Sequence, residues 1–362
     1  MSEIVDLLTA LTQIPAPSHK EGKRAEYIRK WLENAGVEAH MDTAGNVIVE
    51  CGIEDREDIC IYMAHMDTVF SDENITVVRD NNILRAPGIG DDTANVAMLM
   101  MCLKEYALGR LPLSMPCVIA FDTCEEGLGN LKGVRQIMQD YKGRIKEVIS
   151  FDTTYHAVYN KTVGSRRYQV TVQTKGGHSY WDFGSENAIV KASRLIECLY
   201  RIEVPCEHRT TYNVGMIQGG TSVNTIPQEA VFLYEIRSED SVCLREVEKQ
   251  FTALAKEYHV AYELIGDRPC MSDVDSRHLE ELTVQCEDII EQVTKQRPRR
   301  MSGSTDCNIP ASQGITALCF GAYDGGGMHT HEEWVDENSL DKGIEIISKV
   351  ISRQTKNGND SL

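Results

Sequence analysis

The chain has 362 residues, 42% of them hydrophobic and 25% charged, with a formal net charge of −18. That length and balance describe a soluble globular protein of two domains. The acidic total repels nucleic acid and anionic lipid, the opening MSEIVDLLTALTQIP has no basic flank before an apolar core, and no apolar run reaches membrane length, so a cytoplasmic protein without nucleic acid or membrane partners is expected.

A first helix is predicted over residues 2–11. Ile14-Pro15-Ala16-Pro17 interrupts it, and Ser18-His19-Lys20-Glu21 has the form of a capping box opening a second helix that stops at Gly36. Buried strands are predicted at 59–64, 117–121 and 148–151, with an amphipathic helix over 93–108. This alternation predicts an α/β fold on a doubly wound, mostly parallel sheet. The middle of the chain changes character. Strand signals at 167–174, 213–218, 230–236 and 260–265 alternate with helical ones at 188–201 and 241–258, giving β-α-β-β-α-β, the order of a ferredoxin-like domain. A strand at 316–320 and a helix from 339 resume the first rhythm. The small domain, 165–274, is therefore read as an insertion into a larger one formed by 1–164 and 275–362.

The twelve cysteines stand singly in apolar stretches, as at Cys60, Cys102, Cys117 and Cys319, with no CxxC pair. Most are read as reduced core residues. Arg297, Arg299 and Arg300 form a short basic stretch, read as a solvated surface patch.

Four clusters of acids and histidines follow predicted strands of the larger domain: His65-Met66-Asp67, Glu125-Glu126-Gly127, Asp152, and His329 after TALCFGAYDGGG. A fifth, Gly88-Ile89-Gly90-Asp91-Asp92, is a glycine loop feeding a helix. In an open α/β sheet such loops share the carboxyl edge of the strands, where ligands bind. Two histidines and several carboxylates, without a cysteine, suit zinc, cobalt or manganese in an open site. Charge counting favours two divalent ions: Asp91, Glu126, Asp152 and a bridging hydroxide neutralise four positive charges, with Asp91 spanning both. Asp67 is then available to orient His65, and Glu125 to take a proton from the bridging water and return it to a leaving amine.

With these residues the chain resembles the cocatalytic zinc peptidases: peptidase T, glutamate carboxypeptidase, aminoacylase, and the acetylornithine and succinyl-diaminopimelate deacylases. The matching stretches are HMDTV, GIGDD, CEEG, FDTT, KGGHS with ENAI, GGTSVNTIP with EIR, SGSTDCN and HTHEEWV, in that family's order and across nearly the whole chain. The resemblance implies one metal on His65, Asp91 and Asp152, a second on Asp91, Glu126 and His329, and Glu125 as general base. It implies that the inserted domain is a lid and homodimer interface. From it His178 polarises the scissile carbonyl, Asn224 assists, and Arg237 forks onto a substrate carboxylate. Gly303 and Ser304 match the turn lining the substrate channel. Phe70 and Thr93 depart from the residues the family commonly has at those places, which blurs the branch and hence the substrate.

Several residues compete for these roles. Ala39-His40-Met41-Asp42-Thr43 repeats Ala64-His65-Met66-Asp67-Thr68 letter for letter, but His40 lies in an alternating, half-exposed strand whereas His65 ends a continuous apolar one. His331 neighbours His329, and no second histidine stands where an HExxH helix needs it. Cys124 beside two glutamates is disfavoured as a thiolate. For Arg237 the bland alternative is a structural partner such as Glu239. The expected activity is hydrolysis of di- or tripeptides, or a carboxypeptidase cleavage, by metal-bound hydroxide. The alternative is deacylation of N-acyl amino acids, and a different class altogether is a non-catalytic metal-stabilised binding protein.

Overall fold

The computed structural model describes residues 2–353. Contacts divide the chain into two compact units, one running to Lys161 and resuming at Ser272, the other Thr162–Met271.

The first unit is built on an eight-stranded sheet. Its middle is four mutually parallel strands in the spatial order Cys117–Asp122, Ile59–His65, Ile145–Ser150 and Thr316–Phe320. Antiparallel strands, Val47–Cys51 on one side and Ala157–Thr162 on the other, flank this centre. Every residue of Ile59–His65, Cys117–Asp122 and Thr316–Phe320 is buried, which is why these segments read as unbroken apolar runs rather than alternating ones. The helix Thr93–Ala107 packs against Glu3–Thr12, Gly22–Asn34 and Glu337–Ile351, and it is apolar almost all round because it is buried almost all round.

Register decides where the loops leave the sheet. His65 lies opposite Asp122, and Ser150 lies opposite both Met63 and Cys319. Parallel strands all end on one edge, so the segments after His65, Asp122, Ser150 and Phe320 start side by side. A second, four-stranded sheet orders Gly325–Gly326, Trp334–Asp336, Ile83–Arg85 and Val78–Asp80, and so ties the loop ending at Glu333 to the loop beginning at Ala86.

The second unit orders strand Gly164–Gln173, helix Ala188–Leu199, strands Thr210–Gly219 and Glu229–Ser238, helix Ser241–Glu257 and strand Ala261–Arg268. All pairings are antiparallel, and the spatial order is second, third, first, fourth. One face of the sheet, with Val170, Val172, Phe232 and Tyr234, meets Ala192, Leu195, Val247 and Phe251 of the helices in a shared core.

One expectation about local structure fails. The capping box does not form: the helix begins at Gly22, and the Ser18 hydroxyl donates instead to Asp67 Oδ2 at 2.6 Å. A buried carboxylate elsewhere in the fold is the stronger acceptor, and tertiary structure overrides the local motif. The basic stretch is exposed, as expected, and is neutralised locally by acids. Arg297 pairs with Glu287, Asp288 and Glu291, and Arg300 with Glu280 and Glu287, all on the helix Ser276–Thr294.

At the end of the described chain Arg353 is buried in an ion pair with Glu147 and donates to the Tyr62 hydroxyl at 3.0 Å. Loss of either partner leaves an uncompensated buried charge, at a cost of about 3–5 kcal/mol. Among the described residues no helix is long and apolar enough to cross a membrane.

Candidate metal centre

His65, Asp91 and Asp152 are all buried, and one ligand atom from each lies within 4.8 Å of the others. His65 Nε2 is 3.2 Å from Asp91 Oδ1 and 3.8 Å from Asp152 Oδ1. The other ring nitrogen, Nδ1, lies 3.0 Å from the carbonyl oxygen of Asp67, so it carries the proton. In the neutral ring the Nε2 lone pair then points at two carboxylates, a repulsive arrangement unless a positive charge stands between them. Burial opposes the charged imidazolium, but the surrounding Asp67, Asp91, Asp92 and Asp152 outweigh it and raise its pKa well above the usual value.

A second cluster shares Asp91. His329 Nε2 is 3.2 Å from Asp91 Oδ2 and 3.0 Å from Glu126 Oε1. Asp91 and then Glu126 push the His329 imidazolium up to about 11, the effect of two carboxylates on one ring nitrogen. The His329 side chain is half-exposed, which leaves this side open to solvent. Glu125 also offers an oxygen within 4.8 Å of donors from His65 and Glu126. The five predicted ligands and Glu125 are thus brought together.

These donors fit divalent cations. Around a tetrahedral zinc with bonds of about 2.0–2.2 Å, neighbouring ligand atoms sit roughly 3.3–3.6 Å apart, close to the separations observed. Asp152 Oδ1 is buried with no hydrogen-bond partner, and burial followed by the Asp91 charge raises its carboxyl well above the ordinary range. A cation would satisfy that oxygen and remove the repulsion together.

Asp67 lies against the His65 ring and has a further task. Its carboxylate is 3.5 Å from His65 Nδ1, farther than its own carbonyl, so the peptide oxygen orients the ring. The carboxylate instead accepts from the backbone N–H groups of Glu125 at 3.0 Å and Glu126 at 2.9 Å, and from Ser18. Burial alone would raise Asp67, but the nearby His65 ring, the Ser18 hydroxyl and the Glu126 amide hold it below the usual range. Asp67 therefore braces the turn that presents both glutamates. Cys124, Thr153 and His329, each at or beside a donor, have φ between +62° and +66°. Non-glycine residues hold that conformation at a cost of about 1–3 kcal/mol where the surroundings impose it.

Sequence reasoning missed several residues. Asp92 Oδ2 accepts from the His65 amide at 3.1 Å, and its Oδ1 accepts from Asn95 at 2.6 Å. Asn95 also donates to the carbonyl of Thr153 and accepts from the amide of Ala322, joining three of the converging loops. Glu333 accepts from the amides of Gly88, Gly90 and Asp91. Behind the site Asp122 and Asp306 are fully buried; burial, aided by neighbouring carboxylates, pushes Asp122 up to about 7 and Asp306 well above its ordinary value. The only signal for Asp92, Asp306 and Glu333 was an acidic residue inside a quoted motif, and residue type cannot separate a ligand from the group behind it.

In the second unit, strand Gly177–His178 pairs with Thr225–Ile226, which places His178 opposite Thr225 and beside Asn224. His178 Nδ1 accepts from the Tyr180 amide at 3.2 Å, and its ring stacks on Trp181 with centroids 4.3 Å apart. The Asn224 carbonyl accepts from the Ser179 amide at 3.0 Å. Arg237 donates through Nε to Glu235 at 2.8 Å, so its structural partner is Glu235 and not Glu239. In the first unit Gly303 ends the strand Arg299–Gly303, where an added Cβ would come within 2.5 Å of Tyr159, and Ser304 follows it.

His40 and His331 stand apart from these clusters. His40 is exposed in the two-residue strand His40–Met41; Met41, expected to point inward, is exposed as well, because this strand is only the margin of the sheet. His331 lies 3.2 Å from Asp72 and edge-on to Phe70. Cys124 has its thiol pushed up to about 12 by burial and by Glu21, so it carries no thiolate near neutral pH.

Nitrogen and oxygen donors converging on the carboxyl edge of an α/β sheet, beside a braced pair of glutamates, define a metal-binding hydrolase site. Residues 61–353 match Peptidase family M20/M25/M40, and the chain belongs to that family of enzymes. An acetylornithine deacetylase from Myxococcus xanthus is 23% identical over 90% of this chain and 86% of its own length. A tripeptidase of known structure from Staphylococcus aureus superposes with a TM-score of 0.74 at 18% identity, covering 97% of this chain and 98% of the other. A Bacillus subtilis protein described as a dinuclear metal binding peptidase of the same family gives 0.64 at 16% identity over 96% of both chains.

Proposed function

We propose that the chain hydrolyses short peptides that end in a free carboxylate, using two divalent cations, with zinc the first choice and cobalt or manganese the alternatives. The observation carrying this reading is Asp91, whose two oxygens each lie 3.2 Å from a different histidine. His65, Asp91 and Asp152 would hold one ion, and Asp91, Glu126 and His329 the other. Bound there, the cations would polarise the scissile carbonyl and bring the pKa of a water toward neutrality. Glu125 takes the proton of the attacking water and passes it to the departing nitrogen, and Asp67 keeps Glu125 aimed. The Tyr180 amide on Nδ1 leaves the His178 proton on Nε2, where it donates to the carbonyl oxygen. Asn224 assists beside it. Arg237 uses only Nε on Glu235, so its outer nitrogens suit a substrate carboxylate, while Gly303 and Ser304 line the channel.

The Myxococcus relative favours a second reading, deacylation of N-acyl amino acids. A panel of di- and tripeptides beside N-acetyl and N-succinyl amino acids, at defined cation content, tests both. Turnover confined to the acyl compounds would overturn the peptidase assignment, and no turnover on either set would favour the non-catalytic alternative.

The inserted domain, ferredoxin-like in element order, is assigned as lid and homodimer interface. Its margin strand Thr210–Gly219 leaves Met216 and Ile217 exposed, an unpaired edge suited to a second copy. With His178 acting in the partner's site, mixed Glu125→Gln and His178→Ala chains should recover activity that neither has alone. Mixtures shown to exchange subunits yet remain inactive would refute action in trans. The twelve free thiols suit a reducing, cytoplasmic setting.

A further inference from the structure

The backbone N–H groups of Gly88, Gly90 and Asp91 converge on one point, a concave arrangement that attracts an anion. The Glu333 carboxylate fills it. Oε2 accepts from Gly88 at 3.0 Å, and Oε1 accepts from Gly90 at 2.8 Å and from Asp91 at 2.7 Å. Glu333 is 1% exposed, and its own carbonyl accepts from the Ala86 amide at 3.2 Å. The contact is therefore made from both ends of one residue to both ends of the loop 86–91.

We propose that Glu333 is a positioning residue that sets the bridging geometry of Asp91, an inference resting on the two-cation reading. Asp91 must present Oδ1 toward His65 and Oδ2 toward His329 at the same time. A small rotation of its backbone would bring one oxygen nearer its histidine and carry the other away. The three hydrogen bonds to Glu333 hold the peptides immediately before Asp91 against that rotation. His329 stands in the same tight loop, closed by Thr330 N–H on the Gly327 carbonyl at 3.0 Å and Glu333 N–H on the Thr330 carbonyl at 3.2 Å. Glu333 thus links the bridging carboxylate to the loop that carries His329, so the position formed by Asp91, Glu126 and His329 depends on it more than the position of His65 and Asp152.

The test is cobalt titration of cation-free wild type, Glu333→Gln and Gly90→Ala, read by visible absorption and by stoichiometry. A glutamine keeps one acceptor oxygen but turns an NH2 group toward an amide donor. At Gly90 an added Cβ would sit 2.9 Å from Glu333 Oε1 and 2.6 Å from the Tyr323 hydroxyl, disturbing the same contact without changing charge. Both variants should bind the first ion as wild type does and the second about 10–100-fold more weakly, the usual effect of losing a group that orients a ligand. A brace with no bearing on the bridge would lower the melting temperature and leave the split between first and second ion unchanged, which overturns the proposal. If Glu333→Gln does not fold, Gly90→Ala decides. Wild type that binds two ions beside variants that bind two equally well sinks the role of Glu333 alone, whereas wild type that binds none sinks the two-cation reading beneath it.

Discussion

Glu125→Gln should retain both cations and lose turnover by about 10²–10⁴-fold, the range associated with a positioned proton acceptor. The substitution removes the charge of the acceptor oxygen at nearly unchanged volume and shape. The Glu125 contact that shapes the turn is its backbone N–H to Asp67, which a glutamine keeps, and Glu126 retains its own bond to the same carboxylate. Cation content by elemental analysis, measured alongside kcat, checks the result. Turnover unchanged would remove Glu125 from the mechanism. Turnover and one cation lost together would make Glu125 a ligand, an outcome the proximity of His65, Glu125 and Glu126 makes worth measuring.

Asp91→Asn should abolish two-cation binding and, with it, activity. Asp91 is the one carboxylate common to the two donor sets that account for the five assigned ligands, so a single change weakens both. The loss should exceed the roughly 10–100-fold that follows removal of a group behind a ligand. Cations that bind only the folded chain raise its stability by RT ln(1 + [L]/Kd), so the rise in melting temperature on adding zinc or cobalt should nearly vanish in the variant. A variant that still takes up two ions with wild-type affinity would show that Asp91 is not shared, and the two-cation arrangement would have to be abandoned.

The candidate ligands were legible because parallel strands impose a rule that sequence can express. An apolar run that stops at an acid or histidine marks a strand end, and all such ends in a parallel sheet lie on one edge. His65 and Asp152 follow that rule, and His40, with the same neighbours as His65, fails it because its strand alternates. The capping box around Ser18 was misread for the converse reason. Its signal is local, and the stronger acceptor, Asp67, is 49 residues away.

The brace made by Asp67 and the parts played by Asp92 and Glu333 were missed because that work is done through backbone amides, which every residue possesses and no motif records. Trp181 stacking on His178 and Glu235 taking the Arg237 guanidinium belong to the same kind: contacts set by loop conformation and strand register. Sequence by itself determined the rhythm of strand and helix, the inserted segment and the set of donor residues, since periodicity and residue chemistry are written along the chain. Tertiary structure alone decided which oxygen faces which nitrogen and which acid braces rather than binds, because those outcomes depend on distances of a few ångströms between segments that are far apart in the chain.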